Sequence, residues 1–501
     1  MFSLRETSTL YEHQSQAIKW SKGKPGAIFG CEMGTGKTIL SLALVGSHSP
    51  NDDEHDWADT CLIVAPRAVI EQWKTEIIKH FILEESDVFM FHGQKRNSPA
   101  SVAEMKRCKI VITTMETLRS EYKKREQMIK TAEKEFEKLH EDDDTIDMEE
   151  SSDLFYTELN KSLSEINPIL YHDFGHMIVD EAHQIRNRTT LGFKALCNIH
   201  AKKRWCLSGT PNINKRQDII TLAMFLQCPI YDDLGWWKKA TVVEISQWMK
   251  DFFFIILKDD VLNLPDKIEM ISLLKMTPEH EKHYTEIRNT NMLTILKILR
   301  LRQACVNNID GIDNQKFHEV RRLIDKAGST EGVLVFCSFS QSLIQLQKYL
   351  KDSAKIDSIL YHGKMNSEER SLAVKEFTEN SKKPVMLISI KSGGVGLNLI
   401  RANHVIIMDP YWNIALEQQA IDRAHRIGQE KKVYVHRLVY ENTIEKWVNN
   451  IQDDKVVNID QFMTGREGYT HVKKIETQNE ENPEEPGAID ESDKLIGTEY
   501  F

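Results

Sequence analysis

The organisation of this chain is decided by the stretch Gly30-Cys31-Glu32-Met33-Gly34-Thr35-Gly36-Lys37-Thr38. It follows the apolar residues 27–29 and leads into the largely apolar residues 39–44, which predicts a strand, a glycine-rich loop and the start of a helix. A loop of this kind presents backbone N–H groups and the positive end of a helix dipole, so it suits phosphate groups. Lys37 would contact the outer phosphates of a nucleotide, and the Thr38 hydroxyl would hold Mg²⁺.

The strict phosphate-loop pattern requires a glycine at the position that Cys31 occupies, so this stretch departs from the pattern by one residue. The simpler interpretation is a glycine-rich helix start that binds no ligand. Other features of the chain must therefore decide between the two interpretations.

The composition limits the class of protein. A chain of 501 residues, 41% of them hydrophobic, should form two or three domains with their own cores. No apolar run approaches the roughly 20 residues of a membrane span and the N-terminus lacks the apolar core of a signal peptide, so we expect a soluble intracellular protein. The 8 cysteines include no Cys-x-x-Cys pair, which argues against a zinc ribbon, a RING finger or a disulfide framework.

The net charge of −10 is unevenly distributed. Residues 121–170 and residues 475–501 each carry a net charge of −8, which leaves a net charge of +6 for the rest of the chain. The body of the protein is therefore mildly basic and compatible with a phosphate backbone as partner. Residues 121–170 are interpreted as a helical protrusion with an acidic tip, with a solvated insertion as the simpler alternative and a DNA-mimicking inhibitory segment as a further hypothesis.

Two predicted strands of the N-terminal half end at a proline and at a pair of threonines. The run at 61–65 ends at Pro66, and the run at 110–112 ends at Thr113-Thr114. Hydroxyl and backbone N–H groups at the carboxyl ends of parallel strands suit contacts with nucleic-acid phosphates. They could equally be caps of the loops that follow.

A pair of carboxylates follows the predicted strand at 177–179, namely Asp180-Glu181. Asp180 would hold Mg²⁺ and Glu181 would polarise an attacking water. Upstream of the glycine-rich loop, Gln14 lies in a predicted helix at 10–20 and could bind an adenine edge through its amide, although a solvated helix glutamine is the simpler interpretation.

The C-terminal half repeats the alternation of strands and helices after residues 213–310, which lose it. Strands are predicted at 333–336, 385–388, 405–408 and 433–435, the last closing the sheet. A helix starts with a capping box at Asn366 and Glu369, and a turn is predicted at 391–396. Residues 418–429 are interpreted as a helix that presents Arg423 and Arg426 on one face, either as arginine fingers for a γ-phosphate or as an exposed ion-pairing face.

The order of these motifs resembles that of the helicase-like ATPases of superfamily two, and within them the Swi/Snf family, over residues 8–455. The motifs are Gln14, 34–38, 65–66, 113–114, 180–183, 208–211, 392–399 and 419–429. The most specific are 412–413 and 424–429. The segments 185–190 and 299–305 are similar to those of the repair-associated and Lodestar-type branch, and the compact length is similar to that of global transactivator-like proteins of insect viruses.

The resemblance implies an α/β fold of two RecA-like parallel-sheet lobes with helical protrusions between them. Lobe one would span residues 1–230 with the acidic insertion at 121–170, and helical protrusions and a linker would span residues 231–314. Lobe two would span residues 315–460, and residues 461–501 would form an acidic, disordered tail.

The resemblance also implies the ligands and their residues. The ligands would be ATP and Mg²⁺. The catalytic residues would be Lys37, Asp180, Glu181, Arg423 and Arg426, and the metal ligands would be Thr38 and Asp180. Further residues of the ATP site would be Gln14, Cys31, Glu32, Met33, Gly34, Thr35, Gly36, Gly394 and Gln419. Contacts with nucleic acid would involve Pro66, Thr113, Thr114, Ser338 and Ser392.

The expected activity is a DNA-stimulated ATPase that moves along double-stranded DNA and displaces or remodels bound proteins. It would be a monomeric, nuclear enzyme (host-nuclear if viral) without zinc. The alternatives are a strand-separating helicase on DNA or RNA and a non-hydrolysing DNA-binding scaffold. Two departures stand out, since Cys31 replaces an acidic residue and residues 255–258 lack the usual arginine pair.

Overall fold

The structure is a computed structural model that describes residues 2–32, 34–48, 57–67, 69–94, 96–141, 148–185, 187–209, 216–227, 233–256, 264–308, 312–380, 383–393, 397–411, 414–446 and 448. The chain divides into two compact units, Met1–Leu262 and Asn263–Phe501. Each has its own parallel sheet and its own core. This is the α/β architecture of two parallel-sheet domains that the motif order predicts.

The first unit alternates strands and helices from its N-terminus. The strands are β1 Gly26–Cys31, β2 Ala58–Val64, β3 Val88–Met90, β4 Ile110–Thr113, β5 Phe174–Val179, β6 Ala201–Ser208 and β7 Phe253–Ile256. The helices are α1 Glu12–Ser21, α2 Lys37–Ser47, α3 Ile70–His80, α4 Pro99–Arg107, α5 Met115–Glu141, α6 Met148–Ile166, α7 Leu191–Cys197, α8 Arg216–Leu226, α9 Leu234–Lys239 and α10 Val242–Phe252.

The sheet of the first unit has the strand order β3-β4-β2-β5-β6-β1-β7, and its strand pairs are parallel. Strands β1 and β5 are buried along their whole length. Their mostly apolar sequences suit this position, because a strand that is covered on both faces exposes few side chains to water. Because all strands run in the same direction, the residues that follow β1, β2 and β5 lie at one edge of the sheet.

The insertion at 121–170 is helical, as predicted. The long helix α5 is followed by α6, and the rings of Phe136 and Phe155 stack between them with centroids 4.3 Å apart. The buried carboxylate of Glu121 fixes the base of α5, since it accepts hydrogen bonds from Arg96 Nε and Asn97 Nδ2 at 2.8 Å each. The acidic tip at 142–147 lies outside the described residues.

The second unit contains strands β8 Lys267–Leu274, β9 Gly332–Cys337, β10 Ser358–Tyr361, β11 Val385–Ser389, β12 Ala402–Ile407 and β13 Val433–Tyr440. Its helices are α11 Pro278–Arg288, α12 Thr294–Val306, α13 Gln315–Ala327, α14 Ser340–Ala354, α15 Ser367–Glu379, α16 Ile390–Gly393 and α17 Ile414–Ile421. Helix α15 begins with the predicted capping box, in which Asn366 and Glu369 exchange hydrogen bonds of 2.8 and 2.9 Å.

The sheet of the second unit is parallel with the order β10-β11-β9-β12-β13-β8. Alternate residues of its central strand β9 enter two different cores. Val333 and Val335 pack with α13 and α14, and Leu334 and Phe336 pack with Phe377 of α15. Since successive side chains of a strand point to opposite faces, helices cover both faces of this sheet.

The segment predicted as interlobe differs from the expectation in its strands. Its residues form β7, which pairs with β1, and β8, which pairs with β13 over eight positions. The prediction that residues 433–435 close the sheet is therefore wrong, because β8 lies outside β13. No helix within the described residues is long and apolar enough to cross a membrane.

Candidate active site

The loop between β1 and α2 has the conformation that its glycines permit. Gly34 and Gly36 have φ angles of +88° and +81°, in the left-handed region that other residues rarely adopt. The Thr35 hydroxyl donates a 2.8 Å hydrogen bond to the carbonyl of Glu32, which closes the loop on itself. Helix α2 begins at Lys37, so its unpaired N–H groups face the loop. Met33 lies outside the described residues.

Two residues of α1 brace this loop. Gln14 is fully buried, and its Nε2 donates to the carbonyls of Thr35 at 3.3 Å and Gly36 at 3.2 Å. The ring of His13 lies 3.0 Å from the same Thr35 carbonyl. A Cβ on Gly36 would come within 3.0 Å of the Gln14 amide nitrogen, so a side chain at this position would displace the Gln14 amide, and the φ angle itself favours glycine. Binding of adenine by Gln14 stays a prediction, and the role of His13 was not foreseen from the sequence.

Lys37 is placed for an anionic ligand. Its Nζ is buried and makes no hydrogen bond with any described residue. An ammonium group has three donors, and leaving them buried and unsatisfied costs free energy, so a phosphate would relieve that cost. Thr38 follows in the first turn of α2 and is partly exposed. This arrangement fits the predicted nucleotide loop better than the simpler interpretation of a helix start without a ligand.

Cys31 contributes no charge to the loop. Its side chain is fully buried in the core of the first unit. Burial, against the opposing effect of Lys37, raises the pKa of the Cys31 thiol to about 12, so the group stays neutral. The loop therefore lacks the negative charge of the acidic residue that Cys31 replaces.

The carboxylates of Asp180 and Glu181 follow β5. The Asp180 N–H donates to the carbonyl of Val64 at 2.9 Å, and its Oδ2 accepts from the indole Nε1 of Trp73 at 3.0 Å. Burial and the neighbouring charge of Glu181 raise the pKa of Asp180, and Lys37 and Trp73 oppose that rise. The charge of Lys37 therefore acts on the Asp180 carboxyl group.

Glu181 has an unusual backbone. Its φ angle is +52°, a left-handed conformation that costs a residue with a side chain about 1–2 kcal/mol. Its Oε2 lies 3.1 Å from His183 Nδ1. Strain of this kind clusters at functional sites, where the surrounding structure maintains it. The turn therefore holds the Glu181 carboxylate in a set direction beside Asp180.

The predicted nucleic-acid residues of the first unit divide into two groups. Pro66 is partly exposed at the end of β2. The hydroxyl of Thr113 donates to the carbonyl of Phe91 at 2.9 Å, and Thr114 accepts from the N–H of Thr117 at 3.2 Å. Both threonines are buried, so their hydroxyls fit the alternative that they are caps of the loops that follow.

The arginines of the second unit do not lie on a helix, contrary to the prediction for residues 418–429. Helix α17 ends at Ile421, and turns continue to Gly428, whose φ angle is +96°. The physical reason is a set of bonds to the loop before β12. The Arg423 carbonyl accepts from the N–H of Leu399 at 3.1 Å, and Arg426 donates to the Leu397 carbonyl at 3.3 Å.

Gln429 secures that turn. Its amide nitrogen donates to the carbonyls of Ile400 at 3.0 Å, Ala402 at 2.8 Å and Ala424 at 3.1 Å, and its oxygen accepts from the N–H of Lys431 at 2.9 Å. The side chain is nearly fully buried. It therefore ties the arginine-bearing segment to the end of the preceding loop.

Ser338 belongs to a buried network at the ends of β9 and β12. Its N–H donates to Asp409 Oδ1 at 2.8 Å, and its hydroxyl accepts from Arg302 at 3.1 Å. Arg302 also donates to Asp409 Oδ2 at 2.8 Å and lies over the rings of Phe339 and Tyr411. Ser338, which was predicted to contact nucleic acid, is thus joined to α12 by the hydrogen bond from Arg302, and Arg302 is held in place by its ion pair with Asp409.

The remaining predicted residues are partly described. Gln419 is buried in α17, and Ser392 lies in α16 with its hydroxyl 3.4 Å from that of Ser389. The predicted turn at 391–396 begins as the last residues of this one-turn helix. Gly394 and residues 412–413 lie outside the described residues.

Two family models match this chain. The SNF2-related domain matches residues 13–320, and the helicase conserved C-terminal domain matches residues 315–428. The chain belongs to the SNF2-related family. As a member of it, this SNF2-related protein is an ATP hydrolase.

Three relatives illustrate its place in the family. A probable global transactivator of Orgyia pseudotsugata multicapsid polyhedrosis virus is 26% identical, over 94% of this chain and 95% of that protein. An uncharacterized ATP-dependent helicase of Schizosaccharomyces pombe is 24% identical, over 94% of this chain and 62% of that protein. The DNA repair protein RAD5 of Yarrowia lipolytica is 25% identical, over 88% of this chain and 56% of that protein. The chain thus spans the viral relative and little more than half of the two fungal ones.

Among solved structures, the SNF2-related chain is similar to the Sulfolobus solfataricus SWI2/SNF2 ATPase core in complex with dsDNA. The sequence identity is 20% and the TM-score 0.38, over 91% of this chain and 94% of that chain.

Proposed function

We propose that this SNF2-related ATPase is stimulated by DNA, moves along double-stranded DNA, and displaces or remodels proteins bound to it. The observation that carries the ATP part is the buried Nζ of Lys37, which has no hydrogen-bond partner among the described residues and follows two left-handed glycines. The DNA part is supported by family membership and by a relative that is a DNA repair protein. A nuclear location and a monomeric state belong to the same proposal.

The residues of the first unit would have separate roles in ATP hydrolysis. Lys37 would bind the outer phosphates of ATP, and Glu181 would orient the attacking water and accept its proton. The oxygens of Thr38 and Asp180 are the donor type that Mg²⁺ prefers, so these residues would hold it. When bound, Mg²⁺ neutralises charge on the phosphates. Gln14 would keep the loop in its binding conformation and contact the adenine.

The residues of the second unit complete the proposal. Arg423 and Arg426 would stabilise the negative charge that develops on the γ-phosphate. Ser338, Ser392 and, in the first unit, Pro66 would lie at contacts with the DNA backbone. These contacts are to phosphates, so they would position the strand without reading its sequence.

One ATPase assay tests the proposal. The purified full chain is measured alone and with duplex DNA, single-stranded DNA or RNA at equal nucleotide concentration. We expect the largest stimulation with duplex DNA and loss of activity in Lys37→Ala. Stimulation by RNA alone, or equal rates with and without duplex DNA, would refute the proposed substrate. A strand-displacement assay then distinguishes translocation from the helicase alternative, for which the duplex would be separated.

A further inference from the structure

The segment from the end of β2 into α3 forms two hydrogen bonds with Asp180. The carbonyl of Val64 accepts the Asp180 backbone N–H at 2.9 Å, and the indole of Trp73 donates to the Asp180 carboxylate at 3.0 Å. The two contacts come from opposite ends of residues 64–73. Any displacement of this segment relative to β5 therefore changes both the backbone and the side chain of Asp180.

Trp73 is well suited to aim its donor. Its ring is 3% exposed and packs in the core of the first unit with Ile70 and Ile77 of the same helix. The other carboxylate oxygen of Asp180 accepts from the N–H of Glu181 at 2.9 Å. One oxygen is thus fixed by the local turn and the other by a helix 107 residues away in sequence. A hydrogen bond from a packed indole orients a carboxylate more narrowly than water would.

The same segment carries Pro66 at the edge of the sheet where we propose DNA contacts. The N–H of Ala65 donates to the carbonyl of Thr113 in β4 at 3.0 Å, and within the segment the N–H of Val69 donates to the carbonyl of Pro66 at 2.9 Å. A phosphate bound at Pro66 would therefore act on a short, hydrogen-bonded connection that leads directly into α3.

We propose that Trp73 is a positioning residue that holds the Asp180 carboxylate in its Mg²⁺-binding orientation and couples it to DNA bound at Pro66. This inference rests on the proposed function. It assigns the route by which a bound duplex reaches the metal ligand, namely a shift of α3 that is passed to Asp180 through one indole hydrogen bond. Sequence periodicity shows Trp73 only as an apolar-face residue of α3.

Trp73→Phe removes the donor and keeps an aromatic ring in the core. The matched control is Trp248→Phe, because the Trp248 Nε1 is buried and makes no hydrogen bond with any described residue. Both variants lose the same atoms from a core of the same unit, so their difference isolates the bond to Asp180. Thermal unfolding of both variants, followed by circular dichroism, measures the loss of packing.

The first readout is nucleotide binding without DNA, followed with a fluorescent ADP analogue over a range of Mg²⁺ concentrations. For Trp73→Phe we expect the Mg²⁺ concentration for half-maximal enhancement to rise roughly tenfold, as is typical when a partner of a metal ligand is removed. Binding in EDTA should stay within about twofold of wild type, because the indole contacts only the metal ligand. A Mg²⁺ dependence equal to that of Trp248→Phe would overturn the positioning role.

The second readout is the ratio of ATPase rates with and without duplex DNA at saturating Mg²⁺. We expect the ratio to fall severalfold in Trp73→Phe while DNA affinity, measured by fluorescence anisotropy, stays that of wild type. An unchanged ratio would overturn the coupling. If the wild type itself shows no stimulation, the proposed function fails, and the Mg²⁺ titration without DNA still decides whether Trp73 positions Asp180.

Hydrogen–deuterium exchange on the wild type tests the coupling without any variant. Addition of duplex DNA should change the protection of peptides covering residues 64–73 and residues 178–183 together. A change in the first segment alone would overturn the route through Trp73.

Discussion

Replacement of Gly36 by alanine tests the geometry of the phosphate loop. Gly36 has a φ angle of +81°, and a Cβ there would come within 3.0 Å of the Gln14 amide nitrogen. The left-handed conformation costs alanine about 1–2 kcal/mol. The clash also displaces an amide that donates to the carbonyls of Thr35 and Gly36, at about 1 kcal/mol for each bond. The loop in its binding conformation is therefore destabilised by about 3 kcal/mol, which corresponds to about 100-fold weaker ATP binding.

Gly23→Ala is the matched control. Gly23 has a φ angle of +77°, and a Cβ there would meet nothing within 4 Å. It carries the same conformational cost without the clash, so it should lower the melting temperature slightly and leave ATP affinity within about twofold of wild type. Isothermal titration with a non-hydrolysable ATP analogue and Mg²⁺ measures both variants.

A double variant separates contact from strain. In the double variant Gln14→Ala/Gly36→Ala the clash is gone. Relative to Gln14→Ala alone, the substitution at Gly36 should therefore weaken the free energy of ATP binding by only the roughly 1–2 kcal/mol of backbone strain. ATP affinity of Gly36→Ala within threefold of wild type would refute the reasoning. Equal losses in Gly36→Ala and Gly23→Ala would do so as well, because the contact with Gln14 would then contribute nothing.

Three further predictions concern other parts of the molecule. Gln429→Ala removes the hydrogen bonds to the carbonyls of Ile400, Ala402 and Ala424 that hold the arginine-bearing turn. The kcat should therefore fall about tenfold while DNA affinity stays within about twofold of wild type, and an unchanged kcat in steady-state ATPase assays would contradict this. Arg302→Lys loses the guanidinium hydrogen bonds to Asp409 and Ser338 and the ring contacts. Chemical denaturation should therefore show a loss of about 2 kcal/mol or more in the free energy of unfolding, and an unchanged midpoint would refute it. Burial lowers the pKa of His176 to about 4, so the folded protein binds fewer protons than the unfolded chain between about pH 6.5 and pH 4. The free energy of unfolding should therefore fall by up to about 3 kcal/mol as the pH falls through that window. His176→Gln should weaken that dependence in urea titrations, and an identical pH profile would show that the buried imidazole is not its source.

Local sequence patterns were sufficient for much of the fold. The apolar run before Gly30 and the glycine-rich loop after it specify β1, the turn and the start of α2 between residues 26 and 37. The capping box of Asn366 and Glu369 was found because both partners lie within one helical turn. Interactions of this range depend on neighbouring residues, so a single sequence displays them.

The elements that sequence reasoning placed wrongly depend on distant partners. The segment after Gln418 has helical spacing, but the bonds of Gln429 and Leu399 end the helix at Ile421. Strand β8 has an apolar pattern that is equally compatible with a loop or a helix edge, and only its pairing with β13 makes it part of the sheet.

The sequence by itself determined where the glycine-rich loop and the paired carboxylates lie, and it predicted their chemistry, because such motifs are short and chemically specific. Tertiary structure alone decided how those residues are held. It joined Trp73 to Asp180 and placed His13 and Gln14 against the loop at Thr35 and Gly36. These contacts connect residues 21 to 107 positions apart, and their partners are selected by the packing of whole strands and helices, which no local pattern records.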